Sequence, residues 1–526
     1  MTDQRTGSLD DAGPGLTDPL PQVEPGAQRP PRSVARNVVS LATSQAITWA
    51  LALLWTFFVP RLIGPEQMGV LTIATSLTAL VAVVLSITTK EFLVREIVSD
   101  RSSASRLLTL ALGLRLAILP VVYLVAVVYA HVADLDDRAT TVLYVVAAAT
   151  VCTMVAEPAL ATFQATERMQ FIAYTDVTNK SLQTLGGVLL AVAGFGAISI
   201  AGLGLGVALF TLVLALWWAH RLVGLRARPA AALPVIRRAG PYWFVAVFYV
   251  AYLWADAVLL GVLATPEVVG WYGAATRLFT TMMFVAVIIS TASLPRLVAA
   301  HARSTEDLYR TARRPFEWVL ILGLPMGVGL ACTAGGVVRL LYGAEYAGAA
   351  PALAVLGLCL PVMYVNIQVA QVFVASGRPL VMGRILAAAA VFNVAANLLL
   401  IPYTEQRWGN GAIGAATALT LTELCQAVLS VAIVGRRLLS RATVVRVAKA
   451  AVAAGAMAAL LVLLPTTALP LEILLGAVSF LALVVLLRLP APDEVAAARR
   501  LVARSTTALS RARPGSRGDG TGPDRP

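Results

Sequence analysis

Charge is scarce in this sequence. Of 526 residues only 13% are Asp, Glu, Lys or Arg, roughly half of what a soluble domain carries, and this excludes an ordinary soluble globular chain. Alternating apolar and polar stretches of ~10 residues are missing too, which excludes a transmembrane β-barrel. Only three histidines occur, His131, His220 and His301, at the ends of apolar runs and without partner spacing. The four cysteines, Cys152, Cys332, Cys359 and Cys425, fall inside apolar runs. They lack metal-ligand spacing and read as small packing residues, so neither a zinc site nor a disulfide framework is implied. No phosphate-cradling Walker loop exists, so the chain does not itself hydrolyse ATP. No catalytic motif is found, and no enzyme activity, cofactor or metal is expected.

What the sequence has instead is apolar length. Hydrophobic residues make up 58% of it and the mean hydropathy is +0.79. Nearly charge-free runs recur, each near the ~20 residues with which a helix crosses a bilayer. Fourteen spans are expected, the first near 37–59 and the last near 471–488, in an all-α polytopic membrane protein. Residues 1–36 lack an apolar signal core and read as a disordered tail. Spans 1–6 fill 37–221, a basic linker 222–240, spans 7–12 fill 241–436, an accessory pair 437–490, and an Arg-, Gly- and Pro-rich tail 491–526.

The formal net charge is +13, which raises the question of nucleic acid. Its placement answers it. Of the 41 Lys and Arg residues, 34 lie in the N-terminal tail, every even-to-odd connector (2–3, 4–5 and so on) and the C-terminal tail; Arg61, Arg138, Arg339 and Arg407 lie on the other side. Such a bias orients membrane helices, and it puts both termini in the cytoplasm. Membrane lipids, not nucleic acid, are the expected surroundings.

A stretch is repeated. Gly64 to Leu77 reads GPEQMGVLTIATSL and Ala264 to Leu278 reads ATPEVVGWYGAATRL. Aligning Pro65 with Pro266 pairs Glu66 with Glu267, Gly69 with Gly270, Ala74 with Ala275, Thr75 with Thr276 and Leu77 with Leu278. A second echo pairs the runs beginning at Gly196 and Gly411. Two echoes in the same order indicate a duplicated six-span unit. Both copies start on the same side, so the copies are parallel repeats about an axis along the membrane normal, with a transport site expected between them.

Three basic residues belong to no connector: Arg115 in span 3, Lys180 in span 5 and Arg277 in span 8. The acids inside spans are Glu157, Asp176, Asp256 and Glu423. A charge at mid-bilayer costs at least ~2.5–3.5 kcal/mol, so each must face a partner, another helix or a wet cavity. Asp176 and Lys180, four residues apart, can neutralise each other. Glu157 is near enough to a span end to reach the interface, and Arg277 can extend towards headgroups. Arg115 is too deep for that. Asp256 and Glu423 lack a basic partner on their own helices; with Asp176 they are candidates for coupling to an ion. Asn37 and Gln45 on span 1, Gln368 and Gln371 on span 10, and Asn393 and Asn397 on span 11 either join helices by hydrogen bonds or line a hydrophilic lumen.

The run from Val34 to Leu77, the segment KEFLVREIV with Arg95, LLYGAEYAGAAPALAVLGL (Leu340 to Leu358) and VFVASGRP (Val372 to Pro379) resemble bacterial polysaccharide flippases of the multidrug, oligosaccharidyl-lipid and polysaccharide exporter superfamily. The resemblance covers spans 1–12, and a 14-span form occurs among that superfamily's peptidoglycan precursor flippases. It implies two six-helix lobes, related by a pseudo-two-fold, that rock around a central cavity. It implies a glycan on undecaprenyl pyrophosphate as cargo, carried from the cytoplasmic to the outer face, and allows a polymerase or glycosyltransferase as partner. A pyrophosphate needs cations along its path, and arginine's planar fork binds phosphate oxygens in pairs. Arg115 and Arg277 are then expected in the path, Arg95 at its entrance, and Lys180 as a weaker contact. The peptidoglycan precursor flippase and the drug/cation antiporter are rivals within the superfamily; a non-transporting scaffold of a glycan assembly complex is a rival outside it.

Overall fold

In the computed structural model the regular elements are all helical among the described residues, which are 48, 50–224, 231–434, 438–464 and 468–489. The expected tails, the centre of the basic linker, Asn37 and Gln45 lie outside them. The first half comprises α1 (Ala50–Ile63), α2 (Pro65–Leu85), α3 (Lys90–Ser99), α4 (Ala104–Ala117), α5 (Leu119–Val132), α6 (Asp137–Ala165), α7 (Met169–Val192) and α8 (Ala197–Val223). The second comprises α9 (Ala232–Leu263), α10 (Pro266–Met282), α11 (Phe284–His301), α12 (Thr305–Tyr342), α13 (Ala349–Ala375), α14 (Pro379–Trp408) and α15 (Gly411–Val434), and is followed by α16 (Arg441–Leu463) and α17 (Leu469–Leu486). Spans 2–14 each coincide with a helix or a helix pair, and the described end of span 1 is helical. Among the described residues twelve segments are long and apolar enough to cross a membrane. The described part of α1 is too short to be counted, and α7 carries Asp176, Asn179, Lys180 and Gln183 along its length.

Three spans expected to be continuous are broken. Span 3 parts at Ile118, where Pro120 lacks an N–H and its ring crowds the preceding turn. Span 2 parts over Ser86 to Thr89, a polar run whose last hydroxyl accepts from the Phe92 N–H and starts α3. Span 8 parts at Met283, about one turn before the place corresponding to the span-2 break, and nothing in the local sequence explains it. Two helices begin earlier than hydropathy suggests. α9 starts at Ala232, inside the expected linker. α12 starts at Thr305, capped by the Ser304 hydroxyl, and its first turns bury Leu308, Tyr309, Ala312 and Phe316 while the other face stays polar.

The repeated motif meets itself where the halves join. α2 and α10 each begin on a proline in the first turn, where its missing N–H costs nothing, and they cross one turn later. A Cβ on Gly69 would stand 1.7 Å from the Pro266 carbonyl oxygen, and one on Gly270 would stand 1.9 Å from the Pro65 carbonyl oxygen. Only glycine allows this crossing, and it does so from both sides. Nearby, the Tyr346 hydroxyl donates to the Pro60 carbonyl at 2.9 Å, and the Tyr129 hydroxyl to the Val258 carbonyl at 2.9 Å. At the opposite, basic end α3 meets the start of α9. Glu96 pairs with Arg238 at 2.8 Å and the Trp243 indole donates to the Val84 carbonyl at 2.9 Å.

The accessory pair is fastened to the second half by a charge that hydropathy does not single out. Glu317 on α12 is buried, accepts from the Thr443 hydroxyl at 2.6 Å and pairs with Arg446 at 2.5 Å. Arg446 also donates to the Leu489 carbonyl at 3.0 Å and Lys449 to the Leu487 carbonyl at 3.0 Å, so one basic patch of α16 closes the end of α17 as well. Removing one member of a buried pair such as Glu317–Arg446 would strand the other.

Candidate functional site

Between the halves lies a cavity of about 430 Å³, walled by α1, α2 and α7 on one side and by α9, α10, α13 and α15 on the other. α10 sets its chemistry. The helix turns Val268, Val269, Ala274, Ala275 and Leu278 into the core. Thr276, Arg277 and Thr280 then face the cavity. From across it, α7 contributes Lys180. A second cavity of about 230 Å³ adjoins in the first half, and Trp55, Thr75 and Arg277 line both. Neither Lys180 nor Arg277 makes a side-chain hydrogen bond or an ion pair among the described residues. The Asp176–Lys180 neutralisation that sequence spacing allows is not formed; Asp176 is exposed.

Arg115, expected on the same path, does not join them in either cavity. It is 1% exposed. Its guanidinium pairs with Glu157 at 2.6 Å, donates to the Thr88 carbonyl at 3.0 Å, and donates to the Met154 carbonyl. It lines neither cavity. The Thr88 carbonyl belongs to the break between α2 and α3, where the helical ladder leaves it without a partner. Arg115 therefore pins an interrupted helix to α6, and Glu157 is its counter-ion instead of reaching the interface. Arg95 likewise lies outside both cavities. It is exposed at the basic end, where it donates to the Tyr242 hydroxyl and sits with its guanidinium 5.8 Å from that ring's centre.

The acids separate as well. Asp256 is 3% exposed and forms part of the main cavity's wall. Its carboxylate accepts from the Tyr272 hydroxyl at 2.8 Å and from the Asn397 amide at 2.7 Å, while Asn397 also donates to the side-chain oxygen of Asn393 at 3.1 Å. The i, i+4 asparagine pair thus faces one acid. Glu423 is buried outside the cavity; it accepts from the Asn366 amide at 2.5 Å, and its Oε1 has no partner. Gln368 bridges α13 to α11 through Ser290, at 2.8 Å, and Ser293. Gln371 is half-buried and lines neither cavity. Two contributors were not anticipated from sequence, Tyr272 and Trp55.

The family model for polysaccharide biosynthesis proteins matches residues 58–351, more than half of the chain and most of both halves of the cavity. The chain belongs to this family. Within the family's matched region lie both breaks in spans 2 and 8, the α2–α10 crossing, Lys180, Asp256 and Arg277. Among solved structures, a lipid II flippase MurJ in an inward closed conformation superposes with a TM-score of 0.63 at 14% identity, covering 86% of this chain and 98% of that one. An inward-facing multidrug resistance MATE transporter of the MOP superfamily gives 0.60 at 16% identity, over 77% and 99%. A eukaryotic MATE transporter, AtDTX14, gives 0.50 at 12% identity, over 79% and 96%. No curated protein matches the sequence. At these identities the likeness is one of fold. This polysaccharide biosynthesis protein is a multi-pass membrane protein with the fold of MOP-superfamily transporters.

Proposed function

We propose that the protein flips a glycan linked to undecaprenyl pyrophosphate from the cytoplasmic to the outer face of the plasma membrane, by alternating access between its two halves. The carrying observation is that Arg277 and Lys180 line one inter-lobe cavity and neither is in an ion pair among the described residues, while the deeper Arg115 is paired with Glu157. Cations in a low-dielectric cavity are costly unless a ligand supplies the compensating charge. A pyrophosphate does so, and arginine can hold two of its oxygens at once. The family model supports a role in polysaccharide biosynthesis, and the MurJ match supports a lipid-linked cargo. The basic connectors support a cytoplasmic location for both termini. The lipid tail stays in the bilayer while the polar head crosses in the cavity; membrane lipids and a polymerase or glycosyltransferase complete its surroundings.

One feature favours ion coupling. Asp256 shares the cavity wall and is surrounded by the side-chain oxygens and amides of Tyr272, Asn393 and Asn397, oxygen-rich chemistry that suits a proton or a hard monovalent cation. Glu423 and Asp176 do not line the cavity and are weaker candidates.

The test is a flipping assay in proteoliposomes with an undecaprenyl-pyrophosphate-linked glycan. Wild type flips it and Arg277→Gln loses flipping with the fold intact. Failure of wild type to flip any pyrophosphate-linked lipid, against uptake of organic cations, would replace this reading with the antiporter; failure of both leaves the scaffold.

A further inference from the structure

Resting on that reading, we infer that the smaller cavity is a subsite for the sugar joined directly to the pyrophosphate, with the Trp55 indole as its platform. Three observations lead there. First, Arg277 lines both cavities, so a phosphate held by its guanidinium sits at their junction, and the group next to it along the lipid-linked chain must enter one or the other. Second, the smaller cavity is the one with uncharged hydrogen-bonding walls. Thr75, Thr150, Thr153 and Gln183 line it, facing apolar Met68, Leu71 and Ile200. Among the described residues its only charged lining residue is Arg277 itself. The Gln183 amide makes no hydrogen bond among the described residues. Hydroxyls and an amide opposite aliphatic side chains suit a pyranose that is polar on its edges and carries an apolar substituent such as an acetamido methyl group. About 230 Å³ holds one such ring and not a C55 isoprenoid chain, which in any case needs a route into lipid.

Third, Trp55 stands as the partition between the two cavities, lining each. Its benzo edge rests on the backbone of α7; a Cβ on Gly187 would come within 2.3 Å of Cζ3. Held along that edge, the residue also borders both cavities. A rigid aromatic face stacks against the C–H face of a pyranose, and a Trp body with a polar neighbourhood is suited to that use. The phosphate and the sugar would thus be recognised by different residues. Arg277 and Lys180 read charge, whatever the glycan; Trp55 and Gln183 read whether a sugar follows.

The experiment measures binding of two probes to purified full-length protein: undecaprenyl pyrophosphate, and the same lipid bearing a single N-acetylglucosamine. Wild type is expected to prefer the glycosylated lipid by about tenfold. Gln183→Ala should reduce that preference and leave affinity for the bare lipid unchanged; Trp55→Ala should erase the preference by weakening the glycosylated lipid about tenfold more than the bare one, and Trp55→Phe should restore much of it. Gly187→Ala, which pushes the ring without changing a lining residue, should reduce the preference as well. Arg277→Gln should weaken both lipids alike. A preference that survives Trp55→Ala overturns the subsite. So does an equal loss of both lipids in Trp55→Ala, which would assign the cavity to the pyrophosphate end of the isoprenoid. If Arg277→Gln binds both lipids as wild type does, or wild type binds neither, the phosphate reading itself is what fails.

Discussion

Arg115 and Arg277 look alike in the sequence, each a lone arginine well inside an apolar run. Their surroundings differ in kind. Around Arg115 both terminal nitrogens of the guanidinium are taken, by a carboxylate at 2.6 Å and two backbone carbonyls, and only 1% of the residue is left exposed. Around Arg277 there is space, shared between two cavities and opposite another cation. The first arrangement is closed and balances its own charge. The second is open, with two cations and the single acid Asp256 in its lining among the described residues, and leaves room for a bound anion. A buried charge is thus informative about function only once its partner is known, because the same cost of desolvation can be offset by the fold or by a ligand.

The contrast can be broken by experiment, and the largest effect should be on the closed arrangement. Arg115→Met should lower unfolding stability in detergent by about 3–5 kcal/mol, the scale for removing one member of a buried pair, and adding Glu157→Gln should recover part of it. A stable, inactive Arg115→Met would return this residue to the transport path. Next, Arg277→Gln should reduce flipping on the order of 100-fold, ~2.7 kcal/mol, while the thermal midpoint stays put. Loss of stability without loss of flipping would make the two arginines equivalent after all. Thr280→Glu sharpens the contrast from the other side. It sits three residues along α10 in the same cavity, and would give Arg277 the partner it lacks; flipping should fall about tenfold through same-helix pairing and repulsion of the phosphate. Lys180→Gln should cost about fivefold, since a single ammonium lacks the paired donors of a guanidinium.

Length, hydropathy and repetition carry most of the architecture, because each is written locally. A run of twenty apolar residues has little choice but a helix in lipid, and the alternation of arginines leaves no room for an odd span. The matched glycines were visible too, as Gly69 and Gly270 in aligned stretches. What could not be read were partnerships across the chain. Glu157 reaches Arg115 over 42 residues, Asn397 reaches Asp256 over 141 and Arg446 reaches Glu317 over 129. No periodicity connects such residues; only packing does. Depth alone therefore ranked Arg115 above Arg277, and the order reversed once neighbours were known. The break at Met283 was invisible for another reason, since its sequence is as apolar as the helices on either side.

The crossing of α2 over α10 has a consequence for where such a protein comes from. Gly69 rests on the Pro266 carbonyl and Gly270 on the Pro65 carbonyl, so residue i of one half touches residue j of the other and j touches i. That reciprocity defines an isologous interface, the kind found in two-fold homodimers. Two separate copies of one six-helix unit, inserted in the same direction, could form this contact with no change in its geometry. Fusing them into one chain would free each copy to change alone. At the position on α2 corresponding to Arg277 stands Ser76, so of this matched pair only the member in the second half carries a charge.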